Sequence, residues 1–291
     1  MNLSKKFNKL RREIYKTLSD LSLKSAKTDY FGLKLKVPLL HGLGAGFLVP
    51  ADQWMSDSLK VFLEQKEGTV VDIGVNIGLY MVKLRALDRS REYIGFEPNA
   101  ICNYYTHELI RANKFNNVRV LPFALSDKKE LRSFYVKRRA DKMGSLNDYA
   151  RFGDTKKFSF DLFTFPADEF FEMLSPESLC AVKIDVEGSE LEVLRGLVDT
   201  IKRYRPYLFC EIWQIPKVDH PTYQEKYKRL VQICELLKSI DYKILGVSTS
   251  QSKIDVLDSV EQFGGEYRRD YILVHESEES QLREALTQIL Y

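Results

Sequence analysis

Strand-like and helix-like segments alternate along this 291-residue chain from Thr69 onward, and no other feature constrains its fold as strongly. Apolar, β-branched runs predict seven strands, at Thr69–Ile73, Tyr93–Phe96, Val118–Phe123, Cys180–Ile184, Tyr207–Ile212, Tyr242–Val247 and Arg268–His275. Patterns of helical period predict helices at Ile77–Ala86, Ala100–Ala112, Ser189–Tyr204, Tyr223–Ile240 and Glu279–Leu290. Such alternation is typical of α/β proteins, so we expect a mostly parallel sheet with helices on both faces.

Two regions lie outside this alternation. Residues 28–50 alternate in a way that predicts an extended hairpin, and residues 128–177 form a long insertion with one or two strands and a short helix near Pro166–Leu174. Insertions at the mouth of a parallel sheet commonly shape a ligand pocket. We therefore expect an N-terminal extension over residues 1–50 and one main domain over residues 51–291 that carries the insertion.

The first 27 residues are strongly basic, with eight Lys or Arg and two Asp or Glu. Apolar side chains from Leu3 to Leu21 recur every three or four residues, which predicts one stripe of an amphipathic helix. The stripe is explained either by binding to an anionic membrane surface or by docking on the main domain or a partner subunit, and both explanations stay open. The remaining chain is slightly acidic, so no broad nucleic-acid surface is expected.

The sequence favours a cytoplasmic location. The N-terminus lacks the apolar core of a signal peptide, and the longest uncharged stretch, the 15 residues Val37–Ala51, is too short and too rich in glycine and proline to cross a bilayer. The four cysteines show neither paired nor zinc-ligand spacing, as expected for reduced thiols packed as small apolar side chains. Peripheral contact with the inner membrane surface through residues 1–27 is the one membrane association that we consider.

The segment VVDIGVNIGLY, residues 70–80, is the most informative part of the chain. A buried strand ends near Asp72, a glycine turn follows, and a helix begins near Ile77, which is the first turn of a nucleotide-binding βαβ unit. Gly74 permits a sharp turn and a close approach of the backbone to a ligand. Gly78 permits close packing of the helix against the strand.

This turn is not suited to a dinucleotide. It carries Val75 and Asn76 where bare glycine amides would have to reach a pyrophosphate, and the Asp72 carboxylate would repel a diphosphate. A positively charged ligand suits the turn better, and S-adenosylmethionine carries an ammonium and a sulfonium group but no phosphate. We therefore predict S-adenosylmethionine as the cofactor, held in part by Asp72, Gly74, Asn76 and Gly78.

Two later strand ends supply further predicted cofactor contacts. Glu97 ends the second strand 25 residues after Asp72, near the offset at which an acidic residue accepts hydrogen bonds from a ribose diol. Ser126 and Asp127 follow the third strand and are expected beside the adenine, where they would meet its amino group. A plain turn is the alternative for these two residues. Asn99 is expected to cap the helix that follows Glu97.

Several segments together carry a family resemblance. VVDIGVNIGLY, YIGFEPNA, LPFALSD, GSL and, most specifically, VKIDVEGSELEVLRG resemble the FkbM-type methyltransferases over roughly residues 65–215. The resemblance implies the class I methyltransferase fold, a Rossmann-like seven-stranded sheet with a late antiparallel strand. It also implies O-methyl transfer from S-adenosylmethionine to hydroxyl groups, often on sugars or polyketide-type natural products. The insertion departs from the family pattern at Thr164–Asp168, so nothing is carried over from that part.

Carboxylates at the ends of the fourth and fifth strands are the candidate catalytic residues. A sugar hydroxyl is a poor nucleophile, so a base within hydrogen-bond reach assists its attack on the methyl group. Asp185 and Glu187 follow the fourth strand and Glu211 ends the fifth, at the edge of the sheet that faces the ligand crevice. His220, on the loop after the fifth strand, is a further candidate for the base.

These carboxylates permit three interpretations. Mutual repulsion would raise a pKa and prepare one of them as a base. Their oxygens would alternatively suit Mg²⁺ or Ca²⁺, although we assign no metal ligands. Glu187 would otherwise accept amide hydrogen bonds at the start of a helix.

The sequence as a whole predicts an O-methyltransferase that acts on a sugar hydroxyl in a glycan or glycolipid. A small natural product is the alternative acceptor. A homologue that binds S-adenosylmethionine without catalysis is the alternative function.

Overall fold

The computed structural model describes residues 24–40, 43–136, 144–147, 158–248, 251–265, 267 and 269–291. The predicted apolar stripe between Leu3 and Leu21 lies outside the described residues. Among the residues described, no helix has the length and apolar character needed to span a membrane.

The predicted N-terminal hairpin is present. Strands β1 (Ser25–Tyr30) and β2 (Leu33–Pro38) pair antiparallel, and Phe31 and Gly32 between them both have a positive φ, which suits a tight turn. The hairpin begins earlier than expected. Residues 25–27 belong to β1, whereas the sequence analysis assigned them to the N-terminal basic segment.

The central sheet has eight strands. In chain order, the remaining strands of the described residues are β3 (Thr69–Ile73), β4 (Tyr93–Phe96), β5 (Val118–Leu121), β6 (Ala124–Ser126), β7 (Glu130–Val136), β8 (Phe158–Pro166), β9 (Leu179–Ile184), β10 (Tyr207–Glu211), β11 (Tyr242–Val247), β12 (Ile254–Leu257) and β13 (Asp270–His275). The central sheet has the order β12-β11-β13-β10-β9-β3-β4-β5. All seven predicted strands belong to it, and β12 is an additional strand at one edge.

The strand directions place the ligand crevice. The five strands from β10 to β5 in this order are mutually parallel, and β13 runs antiparallel to both of its neighbours. From β3 the chain continues to β4 and β5 on one side, and it later returns to β9 and β10 on the other side. In open α/β sheets, ligands bind outside the carboxyl ends of the strands at such a switch point. The ends of β3, β4 and β9 therefore bound the candidate site.

Helices cover both faces of the sheet, as predicted. In chain order the described α-helices are α1 (Gln53–Gln65), α2 (Leu79–Leu87), α3 (Ala100–Asn113), α4 (Ala167–Leu174), α5 (Glu190–Arg195), α6 (Val198–Tyr204), α7 (Tyr223–Ser239) and α8 (Glu279–Leu290). Apolar residues of α1, α2, α3 and α8 share one buried cluster with the sheet, and those of α4 to α7 share a second. Burial of apolar area in these two clusters provides the main stabilisation of the fold.

One predicted helix is divided in two. The sequence analysis predicts a single helix over Ser189–Tyr204, but α5 ends at Arg195 and α6 begins at Val198. The carbonyl of Gly196 accepts a hydrogen bond from Asp168 N (2.7 Å). The Asp168 carboxylate in turn accepts hydrogen bonds from the amides of Asp199 and Thr200 at the start of α6. These contacts with α4 give the second helix its own N-terminal cap.

The insertion forms a small sheet of its own beside the crevice. Its strand order is β6-β8-β7, in which β6 and β8 are parallel and β7 and β8 are antiparallel. Helix α4 follows β8 and packs Phe171 into the second apolar cluster. The small sheet is thereby attached to the main domain at the carboxyl end of the central strands.

Candidate functional site

A cavity opens at the carboxyl ends of β3, β4 and β9 and extends to the insertion. It encloses about 610 Å³, counting the open space at its mouth. Three kinds of residues line it: backbone turns, apolar side chains and carboxylates. The described lining residues are Ile73, Gly74, Asn76, Phe96, Glu97, Pro98, Asn99, Cys102, Phe123, Ala124, Leu125, Phe134, Gly144, Leu146, Asp185, Val186 and Glu187.

The turn after β3 brings the backbone against the turn after β9. Gly74 has a φ of +92°, and a Cβ built on it would lie 1.9 Å from the carbonyl oxygen of Asp185. The Asp185 amide also donates to the carbonyl of Ile73 (3.0 Å). A side chain at Gly74 is therefore excluded both by the backbone conformation and by the neighbouring turn. Gly74 and Asn76 line the cavity, where the sequence predicted ligand contacts.

Glu97 is fixed at the floor of the cavity by backbone amides. Its two carboxylate oxygens accept hydrogen bonds from Asn76 N (2.6 Å) and Asn99 N (2.8 Å). Burial raises the pKa of Glu97 to about 7, although the two amide hydrogen bonds oppose this shift. Each carboxylate oxygen has a second lone pair for a ligand hydroxyl. The geometry is thus compatible with the ribose contact predicted for Glu97, and Asn99 caps α3 through Ile101 N as expected.

Asp72 lies beneath the cavity, not on its wall. Its side chain has no exposed surface, and it accepts a hydrogen bond from Tyr93 Oη (2.6 Å) and an ion-pair contact from Lys183 Nζ (3.5 Å). Burial raises the pKa of Asp72, and Lys183 and Tyr93 oppose the rise. The expectation that this carboxylate faces the ligand is therefore corrected, because Asp72 has protein partners under the site.

Gly78 and the pair Ser126 and Asp127 also lie outside the cavity lining as described. A Cβ on Gly78 would meet Met81 (3.0 Å) and Thr106 of α3 (3.3 Å), so this glycine allows α2 to pack on α3. Ser126 is fully buried in β6, and its hydroxyl lies 3.3 Å from the Asp127 carboxylate. The residues just before them, Phe123 to Leu125, form the cavity wall instead. The adenine contact predicted for Ser126 and Asp127 is thus not supported by the cavity lining, which ends at Leu125 in this part of the chain.

Three carboxylates meet at the ends of β9 and β10, as the sequence predicted. The side chains of Asp185, Glu187 and Glu211 each offer an oxygen, and these oxygens lie within 4.8 Å of one another. Asp185 and Glu187 line the cavity, and Glu211 is hydrogen-bonded to Asp185. Oxygen atoms at this spacing also fit a hard divalent cation such as Mg²⁺ or Ca²⁺.

Lys183 sets the charge of this carboxylate group, and sequence reasoning did not identify it. Its ammonium lies 3.1 Å from Asp185 and 3.5 Å from Asp72. Burial alone would raise the pKa of Asp185, but Lys183 and the Glu211 hydrogen bond lower it. Burial and the Asp185 charge raise the pKa of Glu211. The Lys183 charge thus favours the ionised form of Asp185, and the Asp185 charge favours the protonated form of Glu211. A lysine inside an otherwise apolar strand was the available sequence signal.

His220 lies away from the cavity as the described residues define it. It is exposed on the loop before α7, and its Nδ1 accepts a hydrogen bond from Thr222 N (3.2 Å) and contacts Thr222 Oγ1 (2.9 Å). These contacts organise the start of α7. The structure therefore does not place the His220 ring with the carboxylates, in contrast to the sequence expectation.

The comparison with family models agrees with this geometry. A model of the methyltransferase FkbM domain matches residues 72–244, more than half of the chain. The matched region includes every described residue of the cavity lining. A search of curated protein sequences gave no significant match.

Solved structures show similar folds at low sequence identity. The methyltransferase FkbM from Methylobacillus flagellatus KT is 16% identical, with a TM-score of 0.44, and the match covers 72% of this chain and 44% of that chain. This chain thus spans less than half the length of that protein. A SAM-dependent methyltransferase from Aquifex aeolicus is 14% identical (TM-score 0.38; 78% and 92% covered). M. jannaschii TYW2 in complex with AdoMet is 12% identical (TM-score 0.37; 86% and 84% covered).

Proposed function

Since the chain belongs to the FkbM methyltransferase family, we propose that it moves the methyl group of S-adenosylmethionine onto a hydroxyl group of a sugar in a glycan or glycolipid. Dependence on S-adenosylmethionine follows from the family. Transfer to oxygen and the class of acceptor are the proposed parts.

The charge of the cavity carries this proposal. Its described lining includes three carboxylates, Glu97, Asp185 and Glu187, and no lysine or arginine. Such a lining favours a cationic ligand without phosphate and disfavours nucleotides with a diphosphate. The electrostatic preference deduced from the sequence is thus supported by these three acids, while Asp72 lies outside the lining.

The described residues fit the parts of S-adenosylmethionine. The Glu97 carboxylate, oriented by two backbone amides, is suited to accept the ribose hydroxyls. The apolar wall of Phe123, Ala124 and Leu125 is suited to cover the adenine ring. Gly74 leaves the backbone bare where the methionine portion would bind.

Asp185 is the group that we assign to the acceptor. When bound, S-adenosylmethionine would supply an electrophilic methyl carbon, and the methyl–sulfur bond that breaks on transfer would leave the neutral thioether S-adenosylhomocysteine. The ionised Asp185 carboxylate accepts the hydrogen bond of the acceptor hydroxyl, orients its oxygen and takes up its proton as the new bond forms. The Lys183 ammonium favours the ionised form of Asp185, and Glu211 is hydrogen-bonded to the same carboxylate.

A hydroxyl-rich acceptor fits the cluster better than an isolated hydroxyl. Asp185 and Glu187 both line the cavity and offer several acceptor oxygens within a few ångströms, and adjacent sugar hydroxyls would bind them at once. This arrangement is the basis for proposing a sugar.

Transfer of a labelled methyl group tests the proposal. The purified protein is incubated with S-adenosyl-[methyl-³H]methionine and a panel of nucleotide sugars, free oligosaccharides, glycolipids and small phenols. We expect label on a sugar oxygen, and a loss of about 10²–10⁴-fold in turnover for Asp185→Asn. Asp258→Asn, a matched change at an exposed loop residue, is the control. Label on nitrogen or on a phenol would refute the acceptor assignment, and equal turnover of Asp185→Asn would refute the assigned base.

We further propose a cytoplasmic enzyme with a peripheral membrane contact through residues 1–27. All four cysteines are free and three of them are buried, which suits a reducing compartment. Flotation with anionic liposomes tests the contact. The variant Leu10→Glu with Ile14→Glu should float less than the unmodified protein, and equal flotation would refute the contact.

A further inference from the structure

The turn after β9 has an unusual backbone that requires support. Glu187 and Gly188 are both left-handed, with φ values of +53° and +102°. A left-handed backbone is unfavourable for a residue other than glycine unless its surroundings fix it. This turn carries the candidate catalytic carboxylates, so its support bears directly on their position.

Two buried side chains of the insertion hold this turn from one side. Ser145 Oγ donates to the carbonyl of Glu187 (2.7 Å). Asn147 Nδ2 donates to the carbonyl of Gly188 (2.7 Å) and contacts Ser189 Oγ (2.8 Å). Ser145 and Asn147 are only 1% and 8% exposed, so water competes little for these hydrogen bonds.

Two helices of the main domain hold the turn from the other side. Glu190 Oε1 accepts a hydrogen bond from Gly188 N (2.8 Å), and Arg229 donates to the carbonyl of Gly188 (3.1 Å). Arg229 is itself fixed by an ion pair with Glu192. The main domain thus fixes the turn, and the insertion packs against the same turn.

The insertion segment 144–147, which contains Ser145 and Asn147, also forms part of the cavity wall. Gly144 and Leu146 line the cavity, while Ser145 and Asn147, which alternate with them, reach the turn. Ser145 pairs with Tyr135 of β7 through two backbone hydrogen bonds (2.8 and 3.0 Å), as in a strand. A Cβ on Gly144 would lie 2.3 Å from the ring of Phe134, which also lines the cavity. One face of the segment therefore lines the cavity, and the other face contacts the turn.

We propose that residues 144–147 are a positioning segment that couples S-adenosylmethionine binding to the catalytic carboxylates. A ligand packed on Gly144 and Leu146 would hold the segment in the position that contacts the turn. Ser145 and Asn147 then fix Glu187 and Gly188, so that Asp185 and Glu187 reach their working geometry when the methyl donor is present. The coupling would favour binding of the methyl donor before the acceptor. This inference rests on the proposed function.

The test variant is Asn147→Asp, which has the same shape. It keeps the oxygen that accepts from Arg132 Nη2 (3.2 Å) but replaces the amide donor that binds Gly188. Ser145→Ala removes the second hydrogen bond to the turn. Thr164→Val is the matched control, because its buried hydroxyl donates to Lys128 O (2.8 Å) in the same small sheet.

The experiment combines calorimetry with hydrogen exchange of the full-length protein. In the unmodified protein, S-adenosylmethionine should slow amide exchange in peptides that cover residues 134–147 and 185–192. In Asn147→Asp and Ser145→Ala we expect the dissociation constant to change by about threefold or less. The factor by which S-adenosylmethionine slows amide exchange in residues 185–192 should become about tenfold smaller in these variants. The same factor for residues 134–147 should stay unchanged. With an acceptor from the panel, turnover by the two variants should fall, and their KM for S-adenosylmethionine should stay unchanged.

Each outcome decides a separate question. Full protection of residues 185–192 in both variants would overturn the coupling, as would an equal loss in Thr164→Val. A general loss of stability would lower protection in every peptide and the melting temperature, which separates misfolding from uncoupling. If the unmodified protein does not bind S-adenosylmethionine, the proposed function fails and the coupling fails with it. Faster exchange of residues 185–192 in free Asn147→Asp would still establish Asn147 as support for the turn.

Discussion

Glu97 and Asp185 are two carboxylates on the wall of one cavity, and they are held in different ways. Glu97 is bound by the backbone amides of Asn76 and Asn99. Asp185 is bound by Lys183 and Glu211, which are themselves titratable. A carboxylate held by amides has a fixed position and suits ligand binding. The charge of a carboxylate held by titratable neighbours depends on those neighbours, and such a group suits proton transfer.

Removal of the Lys183 charge tests the second kind of site and has the largest expected effect. Lys183→Met leaves the buried Asp72 and the partly buried Asp185 without their cation. We expect a loss of about 3 kcal/mol in the free energy of unfolding at pH 7, because an unpaired buried charge is costly. Urea denaturation measures it. If Lys183→Met is as stable as the unmodified protein, Asp185 does not depend on the Lys183 charge. The contrast drawn here between Glu97 and Asp185 would then be wrong.

Removal of the Glu97 carboxylate tests the first kind of site. Glu97→Ala should weaken S-adenosylmethionine binding by about 1–3 kcal/mol through lost ribose hydrogen bonds. Calorimetry measures the affinity, and circular dichroism verifies the fold, since Asn76 N and Asn99 N also lose their acceptor. Unchanged affinity in a folded variant would refute the ribose contact.

The pKa of Glu97 predicts a smaller effect of pH on ligand affinity. Burial raises this pKa from 4.5 to about 7, and only the ionised form accepts hydrogen bonds at both oxygens. Affinity for S-adenosylmethionine should therefore fall by up to about tenfold as the pH falls from 8 to 6. Titrations of the unmodified protein and of Glu97→Ala measure this. If the affinity of Glu97→Ala depends on pH to the same extent, the pH dependence arises from another group.

The same shift has a defined sign for stability. The folded protein binds the Glu97 proton more tightly than the unfolded chain does. The stability that this group contributes is therefore fully present below about pH 4.5 and is lost as the pH rises through about 7.

Much of the fold was predictable, because apolar periodicity reports on burial. The strands β3 and β4 and the helix α8 have the predicted bounds. The division between α5 and α6 was not predicted, because it depends on hydrogen bonds with Asp168, a residue in the insertion, whose amide donates to Gly196 and whose carboxylate accepts from two amides of α6. Helix α1 and the edge strand β12 were also missed.

The site was predictable for residues that lie directly after the end of a central strand. Glu97, Asp185, Glu187 and Gly74 all reach the cavity. Asp72 does not, since its side chain is paired with Lys183 of the adjacent strand β9, and this pairing depends on the register between the strands. Ser126 turns away because β6 joins β8 in the small sheet. These placements depend on contacts between residues distant in sequence.

The contact between Gly74 and Asp185 has a consequence for engineering this chain. The two turns touch through main-chain atoms, so the spacing between Gly74 and Asp185 is built into the backbone. Libraries aimed at new acceptors can therefore diversify the strands β7 and β8 of the insertion sheet, while leaving residues 73–74, 144–147 and 185–188 unaltered. New substrate pockets can then be explored without altering the distance between these two turns.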